Sequence, residues 1–452
     1  MWRTVDNLLN KTKSSSIPRF SPDDYYDFID SKIAGSNSDC NGISADGYTC
    51  ITPDLATFKT VSVDEIIRAI SMSPSKHCPS DPLSTWLLKG CAATVAPFIT
   101  RIVNLLLHGG DFPSPWKHVI VIPFLQKAGL DDSVVSSYRL VSNLPHLSES
   151  WQDCPSPGDQ LSWRIQAVAR FSAYHRGHST EMAVLKVYLD LIDTIWNGKY
   201  ALLSLLDLTA AFDMVDQNIL LHHLETTFDF HGMPLQWMWS YLDGRTQPIL
   251  LGDKSTSPRP TVYSVPQGSV MRSLPFTLYT TNISKVIQQN GPSHHSYADN
   301  NQLYLSCNQH ECAALNSRMI KCIESIDEWM SCNRLMLNPS KSVFMWCASQ
   351  RWTHLVDRSA FVLPDGLVNM WLSLRNLLAY FGKSMSMTEY VNCLMRLCFN
   401  QLRWIRFIRH SLTTTVATGL VNSFVTARVD YCNSILIGYQ STNSSISSHF
   451  ST

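Results

Sequence analysis

Two aspartates in this sequence stand where phosphate chemistry is readily staged. Asp207 ends the apolar run Ala201-Leu202-Leu203-Ser204-Leu205-Leu206. Asp299 lies in Ser296-Tyr297-Ala298-Asp299-Asn300-Asn301-Gln302-Leu303-Tyr304-Leu305, a stretch with apolar shoulders and a polar centre. A buried strand that delivers one acid at its tip, beside a hairpin with a second acid at its turn, suggests a divalent-metal site. Hard carboxylate oxygens suit Mg²⁺, which retains waters and shares phosphate oxygens with its substrate. Two such ions clamp the attacking and leaving oxygens of an in-line phosphoryl displacement. Taken alone, an Asp at a strand end is more often a cap or a turn residue, so the surrounding sequence has to decide.

The elements around these acids follow from periodicity. Residues 201–206 form a nearly unbroken apolar strand, and a helix rich in aliphatics follows through Ile219, Leu220, Leu221 and Leu224. The 296–305 stretch has the pattern of a hairpin with a tight Asp-Asn-Asn turn. Ile320, Ile323, Ile326 and Trp329 at i+3 steps predict a helix over Met319 to Trp329. Upstream, Ser62-x-x-Glu65 is a capping box before Val63, Ile66, Ile67 and Ile70, in a helix closed by Pro74. Ala92 to Leu107 reads as a second helix ending at Gly109-Gly110, and Val119 to Ile122 as a buried strand. The first 60 residues read as a linker, Ser148 to Gln166 as loop, and the Ser/Thr-rich end from Gln440 as a low-complexity tail.

Composition narrows the function class. The chain has 452 residues, 45% of them hydrophobic, which is enough for a sizeable core and excludes disorder as the dominant state. Lys+Arg and Asp+Glu both number 36, so overall charge alone does not hold a polyanion, and any such site is a local patch. The neutrality hides a dipole: residues 351–440 carry nine basic and four acidic side chains. Arg396, Arg403 and Arg406 fall within about 80° of one another on a helix, interleaved with Phe399, Trp404 and Phe407. The plain reading is a solvated face over an aromatic core; the functional one is a grip on backbone phosphates. The 13 cysteines include no CxxC pair, and the closest spacings are Cys307/Cys312 and Cys393/Cys398, so reduced core thiols are expected. With no uncharged apolar run of 18 residues and no signal layout, an intracellular protein of the cytoplasm or nucleus is expected, with no membrane partner.

The surroundings of the two acids carry a resemblance. Leu206-Asp207-Leu208-Thr209-Ala210-Ala211-Phe212-Asp213, Val265-Pro266-Gln267-Gly268-Ser269-Val270 and Tyr297-Ala298-Asp299-Asn300 resemble, in order and spacing, the successive palm motifs of a reverse transcriptase. Trp86-Leu87-Leu88-Lys89, Trp116-Lys117-His118, Tyr138-Arg139, Ser142-Asn143-Leu144 and Arg176-Gly177-His178-Ser179-Thr180 are similar to stretches preceding that palm in the LINE-type, non-LTR group, in its jockey-like branch. Asn333-Arg334-Leu335, Leu337-Asn338-Pro339-Ser340-Lys341, Leu374-Arg375-Asn376-Leu377 and the Phe424 to Ser434 segment continue the likeness, which covers about Phe20 to Gly438.

The resemblance implies an α+β right-hand polymerase with an antiparallel palm sheet flanked by helices. The boundaries expected are a linker at 1–60, a helical region at 61–112, fingers at 113–200, palm at 201–350, connection and partial thumb at 351–440, and a disordered tail at 441–452. It implies RNA-directed DNA synthesis from dNTPs onto a DNA primer along an RNA template, with two Mg²⁺ ions for which Mn²⁺ can substitute. Asp207, Asp299 and the Leu208 carbonyl would hold metal, and Lys341 would act near the leaving pyrophosphate. Lys127, Arg139, Phe212, Gln267 and Gly268 would contact the nucleotide, Phe212 by excluding a ribose 2′-hydroxyl. Arg396, Arg403 and Arg406 would bind nucleic acid.

The sequence also departs from the pattern. Asn300 replaces a second acid and keeps an oxygen acceptor without its charge. Pro275 falls where a helix should be under way, Leu140 stands for a proline, and Leu378 stands for a glycine. Residues 149–166 interrupt the likeness, and the endonuclease that usually precedes such a polymerase is expected to be absent. These departures suggest a degenerate, truncated copy, with a catalytically inactive nucleic-acid-binding remnant as the alternative and a chain that never folds stably as the third reading.

Overall fold

A computed structural model describes residues 20–35, 57–73, 81, 83–126, 129–144, 173, 177–209, 211–251, 254–261, 263, 273–352, 361–363, 366–368 and 370–436. In chain order, helix α1 covers Pro22–Gly35, α2 Val63–Met72, α3 Thr85–Gly90 and α4 Ala92–Gly109, before the hairpin of β1 (Ile120–Leu125) and β2 (Tyr138–Asn143). Helix α5 (Thr180–Trp196) leads into β3 (Tyr200–Leu206), α6 (Gln217–Phe228) and α7 (Gly232–Leu242). After the short strands β4 (Leu250–Leu251) and β5 (Lys254–Ser255) come α8 (Ser273–Thr280), α9 (Ile283–Asn290), the β6 (Ser293–Tyr297) and β7 (Asn300–Cys307) hairpin, and α10 (Cys312–Cys332). Strand β8 (Val343–Cys347), the hairpins β9 (Phe361–Leu363) with β10 (Gly366–Val368) and β11 (Ser373–Asn376) with β12 (Ala379–Gly382), then α11 (Thr388–Ile408) and α12 (Thr414–Val421) follow.

The centre is an antiparallel sheet of order β6-β7-β3-β8. Strand β3 is almost wholly apolar because both of its faces are covered. Tyr200, Leu202 and Leu206 point into one cluster, with Leu303, Leu305, Phe344 and the inner faces of α6, α9 and α10. Ala201 and Leu203 point into a second, with Val184, Val187 and Leu191 of α5 and Phe381 of β12. The period of two along β3 therefore assigns alternate side chains to two cores. Truncating a fully buried leucine such as Leu202 or Leu203 would cost about 2–5 kcal/mol. The result is a mixed α+β fold built on an antiparallel sheet.

Most expected elements are present. The Ser62/Glu65 capping box is formed on both sides. Helix α4 ends at Gly110 with φ 69°, a left-handed cap that glycine takes without a Cβ clash. By length and mean hydropathy of 1.2, α4 is the one helix among the described residues able to cross a membrane. Its Ala96, Thr100, Val103 and Leu107 are nevertheless buried, and it packs on α2 and α7.

Three expectations need revision. Residues 22–35, inside the stretch read as a linker, form α1, whose Tyr25 is buried with Tyr138, Ile249 and Leu251. The interleaved aromatics of α11 are not a core: Phe399, Trp404 and Phe407 are 51%, 51% and 70% exposed, while Tyr390, Cys398, Ile405 and Ile408 form the inner face. The polar turn of the β6–β7 hairpin is Ala298-Asp299, one residue earlier than the Asp-Asn-Asn centre suggested, because Tyr297 pairs with Asn300. Residues 149–166 and 437–452 lie outside the described residues.

The glycine missing at position 378 has a structural consequence. Leu377 and Leu378, the two residues joining β11 to β12, have φ 43° and 77°. Two successive positive φ angles are the demand of a turn that normally recruits Asn-Gly, and a branched side chain there is strained. Leu378 is mostly exposed, so little packing opposes a change. Leu378→Gly should raise the urea-unfolding free energy by about 1 kcal/mol; a decrease would show that the turn carries no such strain.

A second expectation concerns pH. The His223 ring, buried in α6 beside Tyr279, is pushed down to about 4 by burial and then by His222. Below about pH 6.5 the unfolded chain gains a proton that the folded ring refuses, so this contribution is full above that pH and lost as pH falls toward 4. At pH 5.5 it should cost about 1 kcal/mol of stability. His223→Gln should flatten the fall in unfolding midpoint between pH 7.5 and 5.5, and an unaltered pH slope in that variant would refute the assignment.

Candidate active site

Antiparallel pairing positions the acids. Leu206 of β3 stands opposite Asn301 of β7, so the exit of β3 at Asp207 comes beside Asn300 and the Ala298-Asp299 turn. Ala298 takes φ 55° to make that turn, and alanine is the smallest side chain that pays the left-handed cost. On its far side β3 pairs with β8 from Leu205↔Val343 to Ala201↔Cys347. The strand that carries Asp207 is thus held from both edges.

Beyond Leu206 the ladder passes to a loop. The Asn338 N–H donates to the Asp207 carbonyl at 2.9 Å, and the Thr209 N–H donates to the Met336 carbonyl at 3.0 Å. Leu208 faces Leu337 between these two bonds. In an antiparallel bridge of this kind the carbonyl of the flanked residue points away from the partner strand. The Leu208 carbonyl is therefore directed out of the ladder, as a backbone metal ligand requires. The same loop turns at Asn338, whose carbonyl accepts the Ser342 N–H at 2.9 Å, and it presents Lys341 to the acid. Lys341 Nζ lies 3.3 Å from Asp207 Oδ2, with Lys341 largely exposed and Asp207 mostly covered.

A cleft of about 520 Å³ opens here, and Asp207, Asn300, Lys341, Trp371, Arg375 and Tyr380 are among its lining residues. The β11–β12 hairpin supplies its second wall, with Arg375 over the Tyr380 ring at 5.9 Å. A buried amide pair joins that wall to the sheet, with Asn376 Nδ2 donating to Gln302 Oε1 at 2.6 Å. Sequence reasoning gave Trp371, Arg375 and Tyr380 no role; they are remote in sequence from Asp207, and only the fold brings them into the cleft.

Other candidates are placed as follows. Phe212 is half-buried, its ring 4.3 Å from that of the fully buried Phe276, so it is anchored on one side. Arg139 is an exposed residue of β2 opposite Phe124 and does not line this cleft. Lys127, Gln267 and Gly268 lie outside the described residues. Arg396, Arg403 and Arg406 are all exposed on α11 together with Phe399, Trp404 and Phe407. His294 and His295 are buried in β6, and burial, then Lys186 and His178, push His295 down to about 4, which suits a neutral structural ring.

A further acid–base pair steadies the region. Asp216 caps α6 by accepting the Asn218 and Ile219 N–H groups, and its other oxygen meets Arg334 Nε at 2.9 Å. Arg334 follows Asn333, whose carbonyl accepts the Tyr279 hydroxyl at 2.6 Å. These bonds tie α6, α8 and the end of α10 together just before the Met336 to Ser342 loop.

The donor set is hard. The Asp207 carboxylate and an outward carbonyl are donors of the kind a divalent cation of the Mg²⁺ class takes. Among the described residues no group of three or more His, Cys, Asp or Glu side chains converges on one point, and Asn300 brings an amide where a third carboxylate would strengthen the site.

Comparison with known proteins agrees with this geometry. Residues 161–361 match the family of reverse transcriptases, RNA-dependent DNA polymerases. Among curated relatives from Drosophila melanogaster, the probable RNA-directed DNA polymerase from transposon BS is 23% identical over 79% of this chain and 39% of its own length. The RNA-directed DNA polymerase from mobile element jockey is 26% identical over 49% of this chain and 24% of its own length. The probable RNA-directed DNA polymerase from transposon X-element is 25% identical over 51% and 25% respectively. The chain thus spans about two fifths or less of the length of the curated relatives it matches. The acid at the tip of a central strand and the second at the adjoining hairpin turn thus both fall within the 161–361 segment that matches the reverse transcriptase family.

Proposed function

We propose that this domain carries out RNA-templated DNA synthesis, joining a dNTP to a primer 3′-hydroxyl, with a right-hand layout of fingers at 113–200, palm at 201–350 and a partial thumb at 351–440. The observation that carries the reading is the placement of Asp207 at the β3 exit beside the Asp299 turn. Asp207, Asp299 and the Leu208 carbonyl would hold two Mg²⁺ ions, with Mn²⁺ as a substitute. When bound, such ions make the primer hydroxyl a better nucleophile and neutralise charge on the phosphates. Lys341 is a largely exposed ammonium beside Asp207, suited to donating hydrogen bonds to the departing pyrophosphate.

The remaining residues orient the substrates. Phe212, backed by Phe276, supplies a wall against a ribose 2′-hydroxyl. Lys127 and Arg139 would meet the triphosphate, and Gln267 and Gly268 the nucleotide or template. Arg396, Arg403 and Arg406 would grip the nucleic-acid backbone, a contact whose strength falls with salt. The RNA template, DNA primer and dNTP are the partners this arrangement requires.

A second reading, a nucleic-acid-binding remnant without catalysis, is favoured by one observation: Asn300 lines the cleft in place of an acid. The two readings separate in a primer-extension assay on an RNA template with Mg²⁺ or Mn²⁺. Extension is expected from the wild type, a loss of roughly 10²-fold or more in Asp207→Ala, and a gain in Asn300→Asp. Salt-sensitive RNA binding with no product from either the wild type or Asn300→Asp would leave only the remnant reading.

The wall has its own check. Phe212→Val should raise incorporation of ribonucleotides relative to deoxyribonucleotides by roughly 10-fold or more, since the block is steric and the 2′-hydroxyl then fits. An unchanged ratio, with extension retained, would place Phe212 in the core alone.

A further inference from the structure

Two cysteine pairs share the same sequence spacing and differ in what the fold does with them. Cys393 and Cys398 both lie on α11, where five residues turn the side chains about 140° apart. Cys307 is the last residue of β7 and Cys312 the first of α10, so the chain reverses between them. The reversal is a short 3₁₀ turn over Gln309–Glu311, fixed by a capping box in which the Asn308 N–H donates to Glu311 Oε2 at 2.9 Å. Both thiols are free, and their sulfurs lie 3.8 Å apart.

We propose that Cys307 and Cys312 form a redox-convertible dithiol site whose reactant is a low-molecular-weight disulfide. The proposal does not rest on the polymerase reading. Closing the gap to a bonded length of about 2.05 Å asks for side-chain rotation at two residues whose backbone is already set by the strand end and the helix start. Cys312 is partly exposed and Cys307 nearly covered, so reagent meets Cys312 first. Burial beside Cys312 pushes the Cys307 thiol up to about 12, which makes it a slow entry point and the resolving group.

The exchange balances in two steps. The Cys312 thiolate, its proton lost to water, attacks one sulfur of the small disulfide, and the small-molecule S–S bond breaks to release one small thiolate. The Cys307 thiolate, its proton likewise lost to water, attacks the Cys312 sulfur of this mixed disulfide and expels the second small thiolate, which leaves the Cys307–Cys312 bond. The protein is oxidised by two electrons, the small disulfide is reduced to two thiols, and the two protons end on them.

The test uses the full chain, equilibrated folded and urea-unfolded in reduced and oxidised glutathione, then alkylated and digested with trypsin. The peptide from Val286 to Arg318 holds Cys307 and Cys312 and no other cysteine. In the folded chain this peptide should lose two hydrogens and escape alkylation at a roughly tenfold lower ratio of oxidised to reduced glutathione than in the unfolded chain. Cys307→Ser should trap a single glutathione on Cys312, whereas Cys312→Ser should leave Cys307 open to alkylation. Alkylation of both cysteines throughout, stable glutathione on both, or the same ratio for folded and unfolded chains would overturn the proposal.

Discussion

Everything at the cleft depends on the register between β3 and β7. In an antiparallel ladder a shift of one residue turns every side chain to the opposite face. Here such a shift would carry Leu202 and Leu203 each into the other's core and move Asp207 relative to the hairpin turn. Because the two faces of β3 are packed against different partners, the penalty for slippage is large on both sides. Hydrophobic packing thus fixes the position of a polar site, though none of the packed residues has any chemistry.

Polar ties then extend that position outward. The Asn338 and Thr209 bonds hold the loop that carries Lys341 against the strand exit, and the Asn376–Gln302 amide pair holds the β11–β12 wall against β7. The Asp216–Arg334 pair, with Asp216 also capping α6, steadies the base of that loop. Each tie is short in space and long in sequence. A cleft built this way keeps its shape only while the core beneath it is intact, which makes its geometry as cooperative as folding itself.

How much of this was legible in the sequence depended on whether the signal was local. The β3 run, the Ser62 capping box and the β6–β7 hairpin are periodic or capped patterns contained in a few residues, and they emerge with small boundary errors. The turn was misplaced by one residue because Asn300 and Asn301 look like turn residues, yet their backbone is claimed by pairing with Tyr297 and Ser296. The Arg375 and Tyr380 wall and the Asp216–Arg334 pair are products of tertiary closure, and no spacing announces them, while the Cys307–Cys312 approach needs a local turn that a spacing shared with Cys393 and Cys398 does not distinguish. On α11 the pattern was read with the wrong face inward: aromatic residues alternating with arginine suggested a core stripe, while smaller residues such as Cys398 and Ile405 occupy it.

The ammonium of Lys341 beside Asp207 has a thermodynamic corollary. A cation approaching that carboxylate competes with a positive charge already there, and the competition eases once the ammonium finds another anion. On the proposed reading, the arriving triphosphate is that anion. Loading of ions and loading of nucleotide then become reciprocal events, each tightening the other by the same factor. A single flexible side chain would in this way impose a preferred order of assembly on the cleft.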